Sequence, residues 1–335
     1  MVDSKQQWKA WLYLSPAIVL LLVFTVWPII NTFIMAFTEN YSPLQNIGGE
    51  AFPFGVENFV KVIGFQDFQD CLINTMLLCF ATVPLSTFLA LLIAVCLNSI
   101  KPLQRLLQTI FFLPYVTNSI AVGMVFAAMF NIVGTFLGSD AQIVNSAGIV
   151  NYFIEISGVG NIIEWLLQNQ PHLINWLTTT YPISWINEGS TYMANMLVII
   201  VYIVWNALPF KILVLLGGLQ SVNKQYYDAA KVDGTSRARV FTRITVPLLS
   251  PMLAYVIITG FIGGFKEYSS IVGIFGVNMG PPHDSGRLNT MVGYIYSELP
   301  NNRYGQVAAA ALILFAIIFV VTMINLWVSK KKVHY

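Results

Sequence analysis

The chain has 335 residues, of which 56% are hydrophobic and only 10% are charged. A soluble globular protein carries roughly 25% charged residues, so charge this sparse cannot cover the surface of a soluble domain of this size. The composition excludes a soluble protein and indicates an integral membrane protein, while the formal net charge of +2 adds little.

Long apolar segments recur along the chain. A spanning helix needs about 20 mostly apolar residues, and six segments meet this requirement, at about 11–37, 72–97, 106–131, 193–219, 251–276 and 305–328. A membrane barrel would instead show short alternating segments. The first segment is longer than a signal-peptide core and has no cleavage site, so we expect a retained anchor. The sequence predicts an all-α integral membrane protein with about six transmembrane helices, forming a single domain over residues 1–335.

Basic residues set the expected orientation of these helices. With the N-terminus inside the cell, 12 of the 17 lysine and arginine residues fall on the cytoplasmic side, and Lys61, Arg287 and Arg303 fall outside. Lys211 and Lys266 fall within the spans. Because cytoplasmic loops carry an excess of Lys and Arg, we expect both termini and the loop at about 220–250 to be cytoplasmic.

The longest extracytoplasmic loop is expected at about 132–192. It mixes apolar residues with Trp165, Trp176, Tyr181 and Trp185. Aromatic side chains in apolar surroundings suit short helices at the membrane interface. We favour passive anchoring over docking of another protein for this loop.

The cytoplasmic stretch from Tyr226 to Pro247 is polar and basic, unlike its surroundings. Asn223 is a suitable N-cap for one short helix, and Gly234 suits its C-terminal end. Thr235 or Ser236 would cap a second helix, which the prolines at 247 and 251 would end. The pattern predicts two short helices meeting at a glycine.

The stretch "YDAAKVDGTSRARVFTRITVPLLSP" resembles the EAA loop of permease subunits of bacterial ABC importers. Asp228 replaces the glutamate of the family pattern, and Thr235 replaces an alanine. In the family this loop is the helix that seats in a cleft of the ATPase subunit. The matching positions that the resemblance assigns to ATPase coupling are Tyr227, Asp228, Ala229, Ala230, Asp233, Gly234, Arg239, Phe241 and Pro247.

The flanking stretches "LGGLQSVNKQYYDAA", "NTMVGYIYSE" and "YGQVAAAALILFAIIF" resemble the sugar-importer branch. The resemblance implies the type I ABC importer fold and a permease for oligosaccharides in the bacterial cell membrane. It implies four kinds of partner in transport: a second, different permease, two ATPase subunits, an extracytoplasmic solute-binding protein and the oligosaccharide itself. No feature points to nucleic acid.

The chain lacks the phosphate-binding pattern G-x-x-x-x-G-K-[ST], so ATP hydrolysis by that route belongs to another polypeptide. We therefore expect a non-catalytic subunit that binds no cofactor, with ATP and Mg on the partner ATPase. The histidines at 172, 283 and 334 share no ligand spacing, so we expect no metal site.

A substrate pocket is expected where polar residues interrupt the fourth and fifth spans. Charged residues within a span usually face a cavity or a partner, and sugars need hydroxyl-directed hydrogen bonds and aromatic surfaces. The resemblance places Asn206, Phe210, Gly264, Glu267 and Ser269 at sugar-lining positions. The full candidate set is Tyr202, Asn206, Phe210, Gly264, Lys266, Glu267, Tyr268 and Ser269.

Several alternatives stay open. Lys266 and Glu267 would equally suit a local ion pair, or Lys266 would extend toward the outer face. A glycerol phosphate ester is a second candidate substrate, since Lys266 is suited to a phosphate. An autonomous secondary transporter would need inverted repeats or several intramembrane carboxylates, and a membrane-embedded enzyme would need clustered acids or histidines. The sequence shows none of these features.

Overall fold

A computed structural model describes residues 7–39, 41, 53–100, 104–137, 142–146 and 148–332. The chain forms two compact units, one made of residues 1–69 and 294–317 and the other of residues 70–293 and 318–335. The predicted single-domain organisation stays a prediction.

Helices make up nearly all the regular structure of the described residues, which confirms the predicted helical fold. In chain order they are α1 Gln7–Leu21, α2 Trp27–Phe37, α3 Glu57–Gly64, α4 Gln66–Ser99, α5 Gln104–Val116, α6 Ser119–Phe130, α7 Ile149–Ile156, α8 Val159–Asn169, α9 Tyr192–Ser221, α10 Lys224–Val232, α11 Arg237–Val240, α12 Val246–Leu248, α13 Ser250–Gly264, α14 Ser269–Phe275, α15 Met291–Glu298 and α16 Tyr304–Lys332. A two-stranded antiparallel hairpin pairs β1, Val133–Leu137, with β2, Gln142–Ser146. The sequence analysis did not predict this hairpin.

Four helices in the described residues are long and apolar enough to cross a membrane: Trp8–Phe37, α4, α9 and α16. The first joins α1 to α2 through a π-helical turn at Leu22–Val26. The segment Arg237–Leu248 and α13 would make a fifth span, with a bend of 68° between them. These helices agree with four of the six predicted spans and identify a multi-pass membrane protein.

The predicted number of continuous spans is too high. The segment 106–131 is two helices, because Asn118 accepts a hydrogen bond from the Ile120 amide at 2.9 Å and caps α6. The segment 251–276 is also broken, since α13 ends at Gly264 and α14 begins at Ser269. Asparagine at an N-cap and glycine near a helix end favour such breaks over continuous helix.

In the first unit, α2 and α3 are joined through a buried asparagine. Asn58 is 4% exposed, and its Nδ2 donates to the carbonyls of Ala36 at 3.1 Å and Thr38 at 2.9 Å. Phe37 stacks on Phe54 with ring centroids 5.4 Å apart. The amide thus satisfies backbone acceptors at the end of α2 that would otherwise lack partners.

The second unit is built around α9, in which 15 of the 30 residues are buried. Its N-terminal half packs with α6, α8 and α14 in one apolar cluster that includes Ile199 and Tyr202. Its C-terminal half packs with α4 and α13 in a second cluster that includes Ile212 and Leu215. Glycines allow α6 and α14 to touch, since a Cβ on Gly123 would lie 2.7 Å from Cα of Gly273.

The segment 132–192 is partly a folded structure and not wholly an interfacial anchor. Trp165 and Trp176 are exposed, as the interfacial prediction requires, and Tyr181 is partly exposed. For Trp185 the interfacial prediction is wrong, because its ring is buried and its Nε1 donates to Oδ1 of Asn151 at 3.1 Å. Buried polar groups need such partners, and here they anchor the segment to the start of α9.

Candidate functional site

A cavity of about 320 Å³ lies in the second unit where α9 passes from one apolar cluster to the other. This volume is within the range typical of small-molecule pockets. Residues of α4, α5, α9, α13 and α14 line it, together with the link between α13 and α14. Its wall therefore combines five helices of one unit.

Three of the four α13 residues that line the cavity are glycines. Gly260, Gly263 and Gly264 all line it. A Cβ on Gly264 would lie 2.9 Å from Sγ of Cys79, and one on Gly260 would lie 3.1 Å from Cγ1 of Val83. Small residues thus let α13 approach α4 closely, as in other membrane helix pairs.

The α9 wall carries a buried lysine. Lys211 is 4% exposed, and its Nζ donates to Oγ of Ser86 at 2.6 Å, to Oγ1 of Thr87 at 3.0 Å and to the carbonyl oxygen of Val83 at 3.3 Å. These three acceptors all belong to α4. The ammonium therefore joins α9 to α4 beside the cavity.

Glu267 supplies the second charged group of the cavity wall. Its Oε1 accepts a hydrogen bond from the Ser270 amide at 3.1 Å, and its carbonyl accepts one from Thr290 Oγ1 at 2.8 Å. The carboxylate lies at the first turn of α14, where helix amides favour negative charge. Local bonding therefore holds this side chain in place.

The structure brings four of the eight predicted pocket residues to the cavity: Asn206, Phe210, Gly264 and Glu267. Phe210 stacks on Tyr115 with ring centroids 5.9 Å apart, so an aromatic surface borders the cavity. A role for these residues in binding substrate stays a prediction.

The other four predicted residues, Tyr202, Lys266, Tyr268 and Ser269, are not among the lining residues. Tyr202 is fully buried, and its hydroxyl donates to the Ser119 carbonyl at 2.5 Å and accepts from Nδ2 of Asn206 at 3.4 Å. Tyr202 therefore supports Asn206 from behind the cavity wall. Lys266 is exposed, and the structure shows no ion pair between it and Glu267, both of which it describes.

The sequence analysis missed several lining residues. Ser86 and Thr82 on α4, Tyr115 at the end of α5 and Thr259 on α13 have no distinctive local pattern. Lys211 did have a usable signal, since a lysine within a span is costly and usually functional. Its three acceptors lie more than 120 residues away in the chain, and only the fold shows that they meet it.

The polar loop has the predicted helix–glycine–helix form. Asn223 caps α10 by accepting from the Gln225 amide at 3.0 Å. Gly234 has φ of 65°, and the amides of Gly234 and Thr235 bond to the carbonyls of Lys231 at 3.1 Å and Ala230 at 3.0 Å. This pair of bonds is a Schellman motif, which needs a left-handed residue and so favours glycine.

The second half of the loop departs from the prediction in detail. Ser236 is the N-cap of α11, but its side chain makes no capping bond. The chain then passes through a π-helical turn, Phe241–Thr245, and continues through Pro247 to Leu248. The π turn adds a residue to the helical repeat in this part of the loop.

The loop presents an exposed surface on α10 and α11. Among its predicted coupling residues, Asp228, Ala229, Asp233, Gly234 and Arg239 are exposed, Tyr227, Phe241 and Pro247 are partly buried, and Ala230 is buried. Val232 on α10 is 87% exposed. Asp228 forms an exposed ion pair with Lys231 at 3.3 Å. Exposed pairs contribute about 0–1 kcal/mol, so Asp228 is free to exchange partners.

Long apolar helices, a cavity with buried charge and an exposed helix–glycine–helix loop together define a polytopic membrane transport protein. Residues 83–334 match the family described as "Binding-protein-dependent transport system inner membrane component". The chain belongs to this family, and it is a membrane component of such a transport system.

The chain is similar along nearly its whole length to curated permeases. It is 28% identical over 321 residues to the arabinooligosaccharides permease AraP of Bacillus subtilis, covering 95% of this chain and 88% of that protein. It is 25% identical to the lactose permease LacF of Rhizobium radiobacter, with 97% and 95% covered. It is 26% identical to the trehalose/maltose permease MalF of Thermococcus litoralis, with 96% and 94% covered.

Solved structures show the same fold. A chain of a bacterial ABC transporter that imports the acidic polysaccharide alginate superposes with a TM-score of 0.72 at 20% identity, covering 98% of this chain and 97% of that chain. A chain of the same kind of transporter, in complex with an alginate pentasaccharide-bound periplasmic protein, superposes with a TM-score of 0.70. These likenesses establish the type I ABC importer fold predicted from the sequence.

Proposed function

We propose that this chain is the permease subunit of a binding-protein-dependent ABC importer for oligosaccharides and forms half of the translocation path. The observation that carries the proposal is the position of the exposed loop. It connects α9 directly to α13, and these two helices line the cavity. A force applied to α10 and α11 therefore reaches both walls through the chain itself.

The chain's part in transport is non-catalytic. ATP and Mg bind a partner ATPase, on which the α10–α11 surface docks from the cytoplasmic side. Closure of two ATPase subunits moves this loop, and the permease then alternates between outward-facing and inward-facing states by rigid-body motion. The basic residues of the loop, such as Arg237 and Arg239, support its cytoplasmic location under the positive-inside rule.

The remaining partners follow from the same assignment. A second, different permease supplies the other half of the path, and an extracytoplasmic binding protein delivers the substrate. In support, a structural neighbour is an alginate transporter in complex with an alginate pentasaccharide-bound periplasmic protein. The segment 132–192 is a candidate docking surface, since its α7–α8 region exposes Tyr152, Phe153 and Trp165.

The cavity chemistry supports a saccharide substrate. Asn206, Thr259 and Ser86 offer neutral polar groups for sugar hydroxyls. Phe210 and Tyr115 offer aromatic surface for a sugar ring. The names of the curated relatives refer to arabinooligosaccharides, lactose and trehalose/maltose. A glycerol phosphate ester is the second candidate substrate. The ammonium of Lys211 is buried in the cavity wall and suits a phosphate group, whereas Lys266 is exposed and does not line the cavity.

Affinity purification of the tagged chain from its native membrane tests the assignment. We expect an ATPase and a second permease to co-purify, and the reconstituted complex to take up oligosaccharides only with ATP and the binding protein. Recovery of the chain alone, with uptake that needs no ATP, would contradict the proposal.

A further inference from the structure

The hydrogen bonds around Lys211 fit its charged form. Oγ of Ser86 donates its proton to the Thr82 carbonyl at 2.5 Å, and Oγ1 of Thr87 donates its proton to the Val83 carbonyl at 2.7 Å. Each hydroxyl has a single proton, so both oxygens only accept from Lys211. A carbonyl oxygen is also only an acceptor. An ammonium, with three N–H donors, satisfies all three acceptors, which a neutral amine with two N–H groups does not.

Among the described residues, no carboxylate forms an ion pair with this charge within 4 Å. The ion pairs within the described part of the chain involve residues of α3, α10, the 284–287 turn and the 298–303 segment, and none includes Lys211. Its partners are two hydroxyls and a carbonyl. A buried charge normally needs a paired charge, so its positive potential acts on the adjoining cavity.

We propose that Lys211 makes this cavity selective for saccharides that carry a negatively charged group, such as the carboxylate of a uronic acid. The inference rests on the proposed function and deepens it by naming the substrate class. Lys211 is then the residue that determines specificity for charge, while the neutral lining residues contact the rest of the sugar.

The geometry leaves a route to the ammonium. The contact with the Val83 carbonyl is the longest of the three, at 3.3 Å, and a carboxylate oxygen would replace it with a stronger, charge-assisted bond. Gly260 keeps this side open, because a Cβ there would lie only 3.3 Å from Nζ. The absence of a side chain at position 260 thus leaves this side of the ammonium uncrowded, where Lys211 lines the cavity.

Removing the charge of Glu267 tests the same inference in the opposite direction. Its carboxylate lines the same cavity but makes no ion pair with Lys211, and both residues lie in the described part of the chain. Because the two side chains place opposite charges on one cavity, removing each should shift the preference for anionic sugars in opposite directions.

The experiment uses the complete transporter with its binding protein in proteoliposomes. Uptake is measured at limiting concentration for neutral oligosaccharides and for uronate oligosaccharides of equal length. Lys211→Met is expected to lower the ratio of acidic to neutral uptake about ten-fold or more, the effect of losing a bond to a charged group. Glu267→Gln is expected to raise the ratio, and Lys211→Arg to keep it near the wild-type value.

Because the binding protein is the same in every measurement, a change in the uptake ratio is caused by the substitution in the permease. An unchanged ratio in Lys211→Met, or wild-type uptake of neutral sugars only, would overturn the inference. Wild-type failure to transport either class would instead overturn the proposed function.

Discussion

Gly264 and its neighbour Gly263 show how single atoms shape the cavity. Both glycines line it, yet only Gly264 faces a close neighbour across the helix contact. A Cβ at position 263 would meet nothing within 4 Å, whereas one at position 264 would lie 2.9 Å from Sγ of Cys79. A methyl group can therefore be added at position 263 without a close contact, but not at position 264.

Gly264→Ala is expected to destabilise the protein by about 1–3 kcal/mol, the range for overpacking a dense interior. Gly263→Ala is the matched control, since it adds the same methyl group to the same helix in open space. It should stay within about 0.5 kcal/mol of the wild type. Thermal unfolding of both variants in detergent measures the difference, and equal stability of the two would show that α13 does not press on α4.

Residues whose role could be predicted from the sequence act within their own turn of the chain, whereas the others act on residues that are distant in sequence. Asn223 and Gly234 act through their own turn of chain, so their cap and left-handed turn follow from the local sequence. Lys211 acts through acceptors on α4, which only the fold brings to it. Trp185 resembles the interfacial Trp165 in sequence, but a distant asparagine and a buried position make it part of the core.

At the scale of elements, breaks in helices were the least predictable feature. Hydropathy gives the long apolar helices α4, α9 and α16, because their length is set by the membrane thickness. It does not detect a single capping residue such as Asn118 inside an apolar run. The four lining residues that were predicted lie on α9 and in the segment from the end of α13 to the start of α14, where polar residues interrupt apolar sequence.

The loop between α9 and α13 depends on one left-handed residue. Gly234→Pro would remove the amide that bonds to the Lys231 carbonyl and would impose φ near −65° in place of 65°. We expect the variant to reach the membrane but to lose ATPase stimulation by substrate-loaded binding protein and to lose uptake. ATPase activity of the reconstituted complex, measured with and without the binding protein, checks this expectation.

Gly234→Asn is the control for that variant, because asparagine tolerates the left-handed region and keeps the amide. A Cβ at this position meets nothing within 4 Å, so only the backbone angle is tested. Retained coupling in the asparagine variant and lost coupling in the proline variant would support the role of the turn. Wild-type uptake in the proline variant would contradict it.

At the scale of the whole molecule, charge and the position of the loop together fix how the chain should lie in the membrane. The basic residues of α10 to α12, such as Lys231 and Arg239, follow the last turn of α9, and segment 132–192 precedes its first turn. Since α9 is a 30-residue apolar helix, its two ends must face opposite sides if it spans the bilayer. The basic loop and segment 132–192 are thus expected on opposite sides of the membrane.

Cysteine labelling tests this orientation. Cys96 is exposed while Cys71 and Cys79 are buried, so Cys96→Ser gives a background of low reactivity. In that background Val232→Cys, at a position 87% exposed, should react with a membrane-impermeant thiol reagent only in inside-out vesicles. Trp176→Cys, at a position 57% exposed, should react only in right-side-out spheroplasts. The reverse pattern would place the basic loop outside, against the positive-inside rule, and would exclude its docking on a cytoplasmic ATPase.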